Sequence, residues 1–114
     1  LAMRRVKKQK SILQDQSCKQ CYLCMLLEGD YREKIVEDHH IYFGSNRRNS
    51  EIHGFKVNLC ISHHREGKEA VHQNRNNDLI LKKVCQQEYE KTHTREDFVR
   101  IIGKSYIGGG FKRP

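Results

Sequence analysis

The sequence predicts a small α+β domain. A β-hairpin stapled by a metal ion is followed by a helix, with further helices toward the C-terminus. Three observations lead there. Two short runs, 34–43 (KIVEDHHIYF) and 55–60 (FKVNLC), carry the β-branched, aromatic and alternating pattern of strands. Two metal-ligand pairs, Cys21-x2-Cys24 and Cys60-x2-His63, bracket those strands. Helix signals then run from residue 62 to Gly103.

Size and composition make a metal useful. The chain has 114 residues, 36% of them hydrophobic, and no Trp. A chain of this length buries about 65% of its unfolded surface, so an apolar core alone is marginal. Large multi-domain enzymes and Rossmann-type folds do not fit in it. No run approaches the ~18 apolar residues of a membrane helix, which argues against an integral membrane protein. The basic start (Arg4, Arg5, Lys7, Lys8, Lys10) has no apolar segment behind it and does not read as a secretory signal. Leu1 and Ala2, ahead of Met3, read as a remnant outside the fold. An odd count of five Cys without a signal points to reduced thiols, a cytoplasmic setting and metal binding rather than a disulfide framework. Basic residues number 22 against 14 acidic, a formal charge of +8. That excess favours a polyanionic partner, nucleic acid before membrane.

The chain divides into a basic N-terminal arm (1–17), a central domain (18–103) and a flexible tail (104–114). Residues 18–24 form a thiol-rich knuckle. Gly44 to Gly54 reads as a polar loop. Residues 62–72 look helical, weakened by Gly67, which costs about 1 kcal/mol relative to alanine. Asp78 can cap a helix over 79–92 whose Leu81, Val84, Cys85 and Tyr89 share one face. Thr94 and Asp97 form a capping pair for a short helix ending at Gly103. Gly103-Lys104-Ser105 ends like a phosphate-binding loop, but Phe98 stands where its first glycine belongs and no strand precedes it.

Cys21, Cys24, Cys60 and His63 make a zinc site, with bonds of about 2.3 Å to sulfur and 2.0 Å to nitrogen. One ion would clamp both ends of the hairpin. Structural zinc supplies on the order of 10 kcal/mol of folding energy, enough to offset the thin core. Cys18 has the same spacing to Cys21 and is an alternative ligand; Cys85, on an apolar helix face, reads as core. The 35 residues between the pairs disfavour a C2H2 DNA-reading finger, which has about twelve. Beside the zinc pairs lie Asp38-His39-His40, His63-His64 and His72. Cutting a phosphodiester requires a base for water and a cation for the developing charge, and imidazoles serve both needs. Arg47, Arg48, Lys56 and Arg65 surround the hairpin in sequence and can hold phosphates without reading bases.

These residues resemble a known family. Cys21-x2-Cys24, His39-His40-Ile41 and Leu59-Cys60-x2-His63-His64 are similar to the HNH endonucleases, whose fold is the ββα-metal hairpin and helix. More narrowly, His39 to Gly44, Asn46-Arg47, Ser50-Glu51, Gly54 and Val71-His72-x-Asn74 resemble the small phage and prophage HNH proteins. The resemblance implies a metal-dependent DNA endonuclease. His40 would be the general base. His39, in the usual place of a metal-binding Asp, and His64 would hold a catalytic Mg2+ or Mn2+, joined by His72 with Asn74 at the rim. Asp38 is the fallback ligand. His63 replaces the family's fourth zinc cysteine. Asn46, Asn49 and Asn58 are all candidates for the middle Asn. DNA and phage proteins are the implied partners. The alternative is a non-catalytic zinc-containing module that binds nucleic acid by charge. Two geometric demands follow. On an unbroken helix His72 sits about 80° round from His64, so Gly67 must redirect the chain. In a flat strand His39 and His40 point to opposite faces.

Overall fold

A computed structural model of the chain describes residues 8–108. Arg4, Arg5 and Lys7, and the tail beyond residue 108, lie outside them. The α+β architecture is present. Strands β1 (Val36–His40) and β2 (Lys56–Cys60) pair antiparallel, with Val36 opposite Cys60 and His39 opposite Val57. The helices are α1 (Tyr22–Glu28), α2 (Arg47–His53), α3 (Ile61–His64), α4 (Arg75–Tyr89) and α5 (Arg95–Ile102). Among the described residues no helix is long and apolar enough to cross a membrane.

Four local expectations need correction. The thiol knuckle is the start of a helix. Cys21 is the N-cap of α1, its sulfur accepting from the Cys24 N–H, and left-handed Gly29 ends the helix. The polar stretch 44–54 is a 3₁₀ turn (Gly44–Asn46) followed by α2. Its inward contacts are hydrogen bonds, so no apolar period announces it. Buried Ser50 accepts from the Tyr42 N–H at 3.1 Å and donates to the Tyr42 carbonyl at 2.6 Å. Asn46 and Asn49 donate to the last carbonyls of α5, Ile102 and Ile101. The expected helix over 62–72 stops at His64. Finally, α4 starts earlier than expected because Asn74 caps it, accepting from the Asn77 N–H at 3.0 Å. Asp78 instead sits inside the first turn, facing Lys82 one turn on. The C-terminal helix α5 matches the expectation, capped by Thr94 and closed by left-handed Gly103.

The described part of the arm, 8–17, lies along β2 instead of hanging free. Ile12 N–H donates to the Gly54 carbonyl, Ser11 Oγ to the Lys56 carbonyl, and Asn58 N–H to Gln14 Oε1. These contacts satisfy backbone groups on the open edge of a two-stranded sheet. Gly54 is obligatory here. Its φ is +76°, and a Cβ would stand 2.1 Å from the Lys10 carbonyl oxygen.

The core is an aromatic cluster under the hairpin. Tyr42 meets Phe55 and Phe98 edge to face at 5.4 and 5.3 Å, and Phe55 meets Tyr89 at 5.5 Å. Leu23, Ile41, Val57, Leu59 and Leu81 complete it, with Cys85 fully buried as expected.

Candidate functional site

Two side-chain clusters flank β1 and β2. The first gathers Cys21, Cys24, Cys60 and His63. The N-cap turn of α1 supplies the first two, the last residue of β2 the third, and α3 the imidazole. His63 Nδ1 lies 3.5, 3.5 and 3.4 Å from the three sulfurs, and the Cys24 and Cys60 sulfurs are 3.8 Å apart. Tetrahedral zinc with the usual bond lengths requires about 3.8 Å between sulfurs and 3.6 Å between sulfur and nitrogen. The donor set and its spacing therefore suit zinc, with all four positions filled by protein. Cys18 is exposed and stands outside this cluster.

The surroundings answer the cluster's charge. Three thiolates around a divalent cation leave a net charge of about −1. Lys34 Nζ lies 3.1 Å from the Cys24 sulfur and 2.8 Å from Asp30 Oδ2, both of which hold its pKa above the ordinary lysine range. Burial pushes the Cys21 thiol up to about 12, outweighing the Cys60 and Cys24 backbone N–H groups that hold it down, and raises Cys24 as well. Metal uptake must displace those protons, so it strengthens as pH rises. Lys34→Met is expected to weaken zinc retention about tenfold, as outer-shell partners do. Competition against a zinc-chelating dye measures it, and an unchanged affinity would show that the ammonium does nothing for the site.

The second cluster is nitrogen-only. His39 from β1, His64 from α3 and His72 from the following segment bring ligand nitrogens within 4.8 Å of one another. Ring centroids are 5.1 Å (His39–His64), 5.3 Å (His39–His72) and 5.0 Å (His64–His72) apart. The redirection demanded of Gly67 is what allows this. Its φ of +101° turns the chain after α3, and the Val71 N–H then donates back to the His63 carbonyl at 2.7 Å. Glu37, two residues before His39 on the same strand face, accepts from His64 Nδ1 at 2.7 Å, leaving Nε2 as the donor toward the cluster. Arg65 and His64 together pull Glu37 down to about 2, so it stays ionised. His39 is buried, and its Nε2 has no partner. Burial, then the charges of His64, His72, His40 and Lys82, lower its pKa to about 3.

That shift carries a sign. The unfolded imidazole titrates near 6.5. Below that pH the unfolded chain takes a proton that folded His39 refuses, so stability falls as pH drops toward about 3. His39→Asn should therefore show a smaller loss of Tm than the wild type between about pH 6.5 and pH 5. Equal losses would mean His39 is not kept neutral by the fold.

His40, expected beside the same ion, is turned away by strand alternation. Its Nε2 is 2.5 Å from Glu51 Oε1, and it groups with Glu51 and Asp38. His40 and then Lys56 lower Glu51 to about 2. Asp38, the fallback ligand, is exposed and bonded by Gln16. The three candidate asparagines all have structural partners: Asn46 and Asn49 on α5, and Asn58 on the Gln16 and Cys18 carbonyls. Of the expected phosphate-holding residues, Arg47 and Arg48 are exposed at the start of α2. Lys56 is committed to Glu51 at 3.0 Å, with its side chain only 13% exposed. Arg65 is forked onto Glu37.

Sequence reasoning missed Glu37, Lys34, Phe43 and Arg75. Phe43, Val71, His72, Gln73, Arg75 and Asp78 line a cleft next to the histidines. The spacing Glu37-x-His39 on one strand face was the available signal for the first. The others depend on which segments meet. No family model, curated protein or solved structure matches the chain.

Proposed function

We propose that this protein is a metal-dependent DNA endonuclease of the HNH type, its hairpin and α3 forming the ββα-metal unit. The observation that supports this reading is the convergence of His39, His64 and His72 beside a Cys3His cluster on the same hairpin. The two clusters differ in kind. Four protein donors close the sulfur site, as in structural zinc centres. Three imidazoles leave coordination positions open, as in catalytic ones.

When bound there, a divalent ion supplies Lewis-acid charge for a phosphate oxygen and lowers the pKa of water. The nitrogen-only donor set suits Mn2+ better than Mg2+, which prefers oxygen. His39 offers Nε2 from a buried position, and His64 offers Nε2 because Glu37 holds its Nδ1 proton. Phe43 packs against the site, its ring 5.4 Å from that of His72. Arg75, exposed on the cleft wall, can meet a phosphate oxygen, and Arg47 and Arg48 can hold the backbone further out.

Plasmid nicking with Mn2+ and Mg2+, comparing wild type with His64→Ala, tests the reading. Nicking by the wild type that His64→Ala loses supports it. If no divalent ion brings about cutting while DNA is still retarded on a gel, the protein is a zinc-containing binding module.

A further inference from the structure

Among the described residues, two buried side-chain polar atoms have no hydrogen-bond partner: His39 Nε2 and Asp78 Oδ1. Such atoms are rare because leaving them unpaired is costly. Both belong to residues grouped around His72. His39 packs against His72, and His72 and Asp78 line the cleft together with Phe43 and Arg75.

Asp78 is held for a purpose that helix capping does not explain, because Asn74 already caps α4. Its side chain is only 10% exposed. Lys82 Nζ takes Oδ2 at 2.7 Å and itself sits 4.1 Å over the Phe43 ring. With Oδ2 anchored, Oδ1 is left buried and unpaired on a residue that lines the cleft. A carboxylate oxygen and a neutral imidazole nitrogen both call for positive charge or a hydrogen donor. A bare anion would satisfy neither and would be repelled by Asp78. A hydrated divalent cation satisfies both at once. Asp78 is not among the ligand atoms lying within 4.8 Å of one another, so it stands outside the direct ligand set. That is where an acceptor for coordinated water belongs, since a bond of about 2.1 Å is followed by a hydrogen bond of about 2.7 Å.

We propose that Asp78 Oδ1 is the outer-sphere acceptor of the His39–His64–His72 centre, taking a hydrogen bond from the hydration shell of a divalent ion held there. The inference rests on the reading of that cluster as a metal centre. Asp78 acts through the shell and is a positioning residue, its Oδ2 already taken by Lys82.

The test is calorimetric titration of Mn2+ into the full, zinc-loaded chain. Asp78→Asn should weaken Mn2+ binding tenfold or more, as loss of an outer-shell partner does, with zinc content and circular dichroism unchanged. Lys82→Gln breaks the same ion pair but keeps the carboxylate, and should bind Mn2+ at least as tightly as the wild type. If Asp78→Asn does not fold, Asp78→Asn/Lys82→Met removes both charges together and should show the same loss. Wild-type affinity in a folded Asp78→Asn or in the double variant overturns the inference. Binding that needs His64 but ignores Asp78 removes this inference alone. Wild-type binding that is absent, or that survives His64→Ala, removes the metal-centre reading with it.

Discussion

Cys60→Ser is expected to cost the protein its zinc and most of its fold. The ligands come from three places: the cap of α1, the last residue of β2, and α3. An ion bound there would cross-link α1 and α3 to the hairpin. Structural zinc contributes on the order of 10 kcal/mol. Whole domains are stable by about 5–15 kcal/mol, so the loss is comparable to the total. The remaining thiols would make matters worse, since Cys21 and Cys24 are buried and would lose the metal as a partner. Far-UV circular dichroism and zinc content of the variant, and of the wild type under a strong chelator, give the readout. A Cys60→Ser protein that keeps its zinc, or melts where the wild type does, would refute the clamp. Because His39 and His64 lie on β1 and α3, the histidine cluster should fall apart with it.

On the proposed nuclease reading, His64→Ala is expected to lower DNA nicking by a factor of about 10² or more, while His40→Ala should cost less than about tenfold. The contrast tests geometry as well as function. His64 offers its Nε2 to the cluster, with Glu37 fixing the tautomer. His40 lies one residue from His39 but contacts Glu51 of α2, and it belongs neither to the His39–His64–His72 cluster nor to the lining of the cleft. The resemblance would make His40 the base. Equal, near-complete losses in both variants would restore that assignment and require β1 to twist on binding substrate. Equal activity in both would sink the nuclease reading altogether.

The four residues of the Cys–His cluster were legible because their signal is local. A Cys-x2-Cys turn and a Cys-x2-His turn each bring two donors together within a few residues, whatever the rest of the chain does. Strands β1 and β2 and helix α5 were legible for the same reason, through alternation, β-branching and a Thr94–Gly103 cap pair. Helix α2 was not, because its inward face is made by Ser50, Asn46 and Asn49 hydrogen-bonding to Tyr42 and the end of α5. A buried face built from amides and a hydroxyl has no apolar period to find. The break after His64 was required by the angle between His64 and His72, yet its path depended on Gly67 and on the Val71–His63 backbone bond.

From its residues alone, the chain determines a net charge of +8, two short strands and four donors that suit a metal such as zinc. Each of these depends on composition or on neighbours a few residues apart. Tertiary structure decides which histidines share a face, which cations remain free, and which carboxylate is left with a vacant lone pair. Those outcomes depend on segments tens of residues apart meeting at one place, where burial and partner choice, rather than spacing, assign each side chain its chemistry.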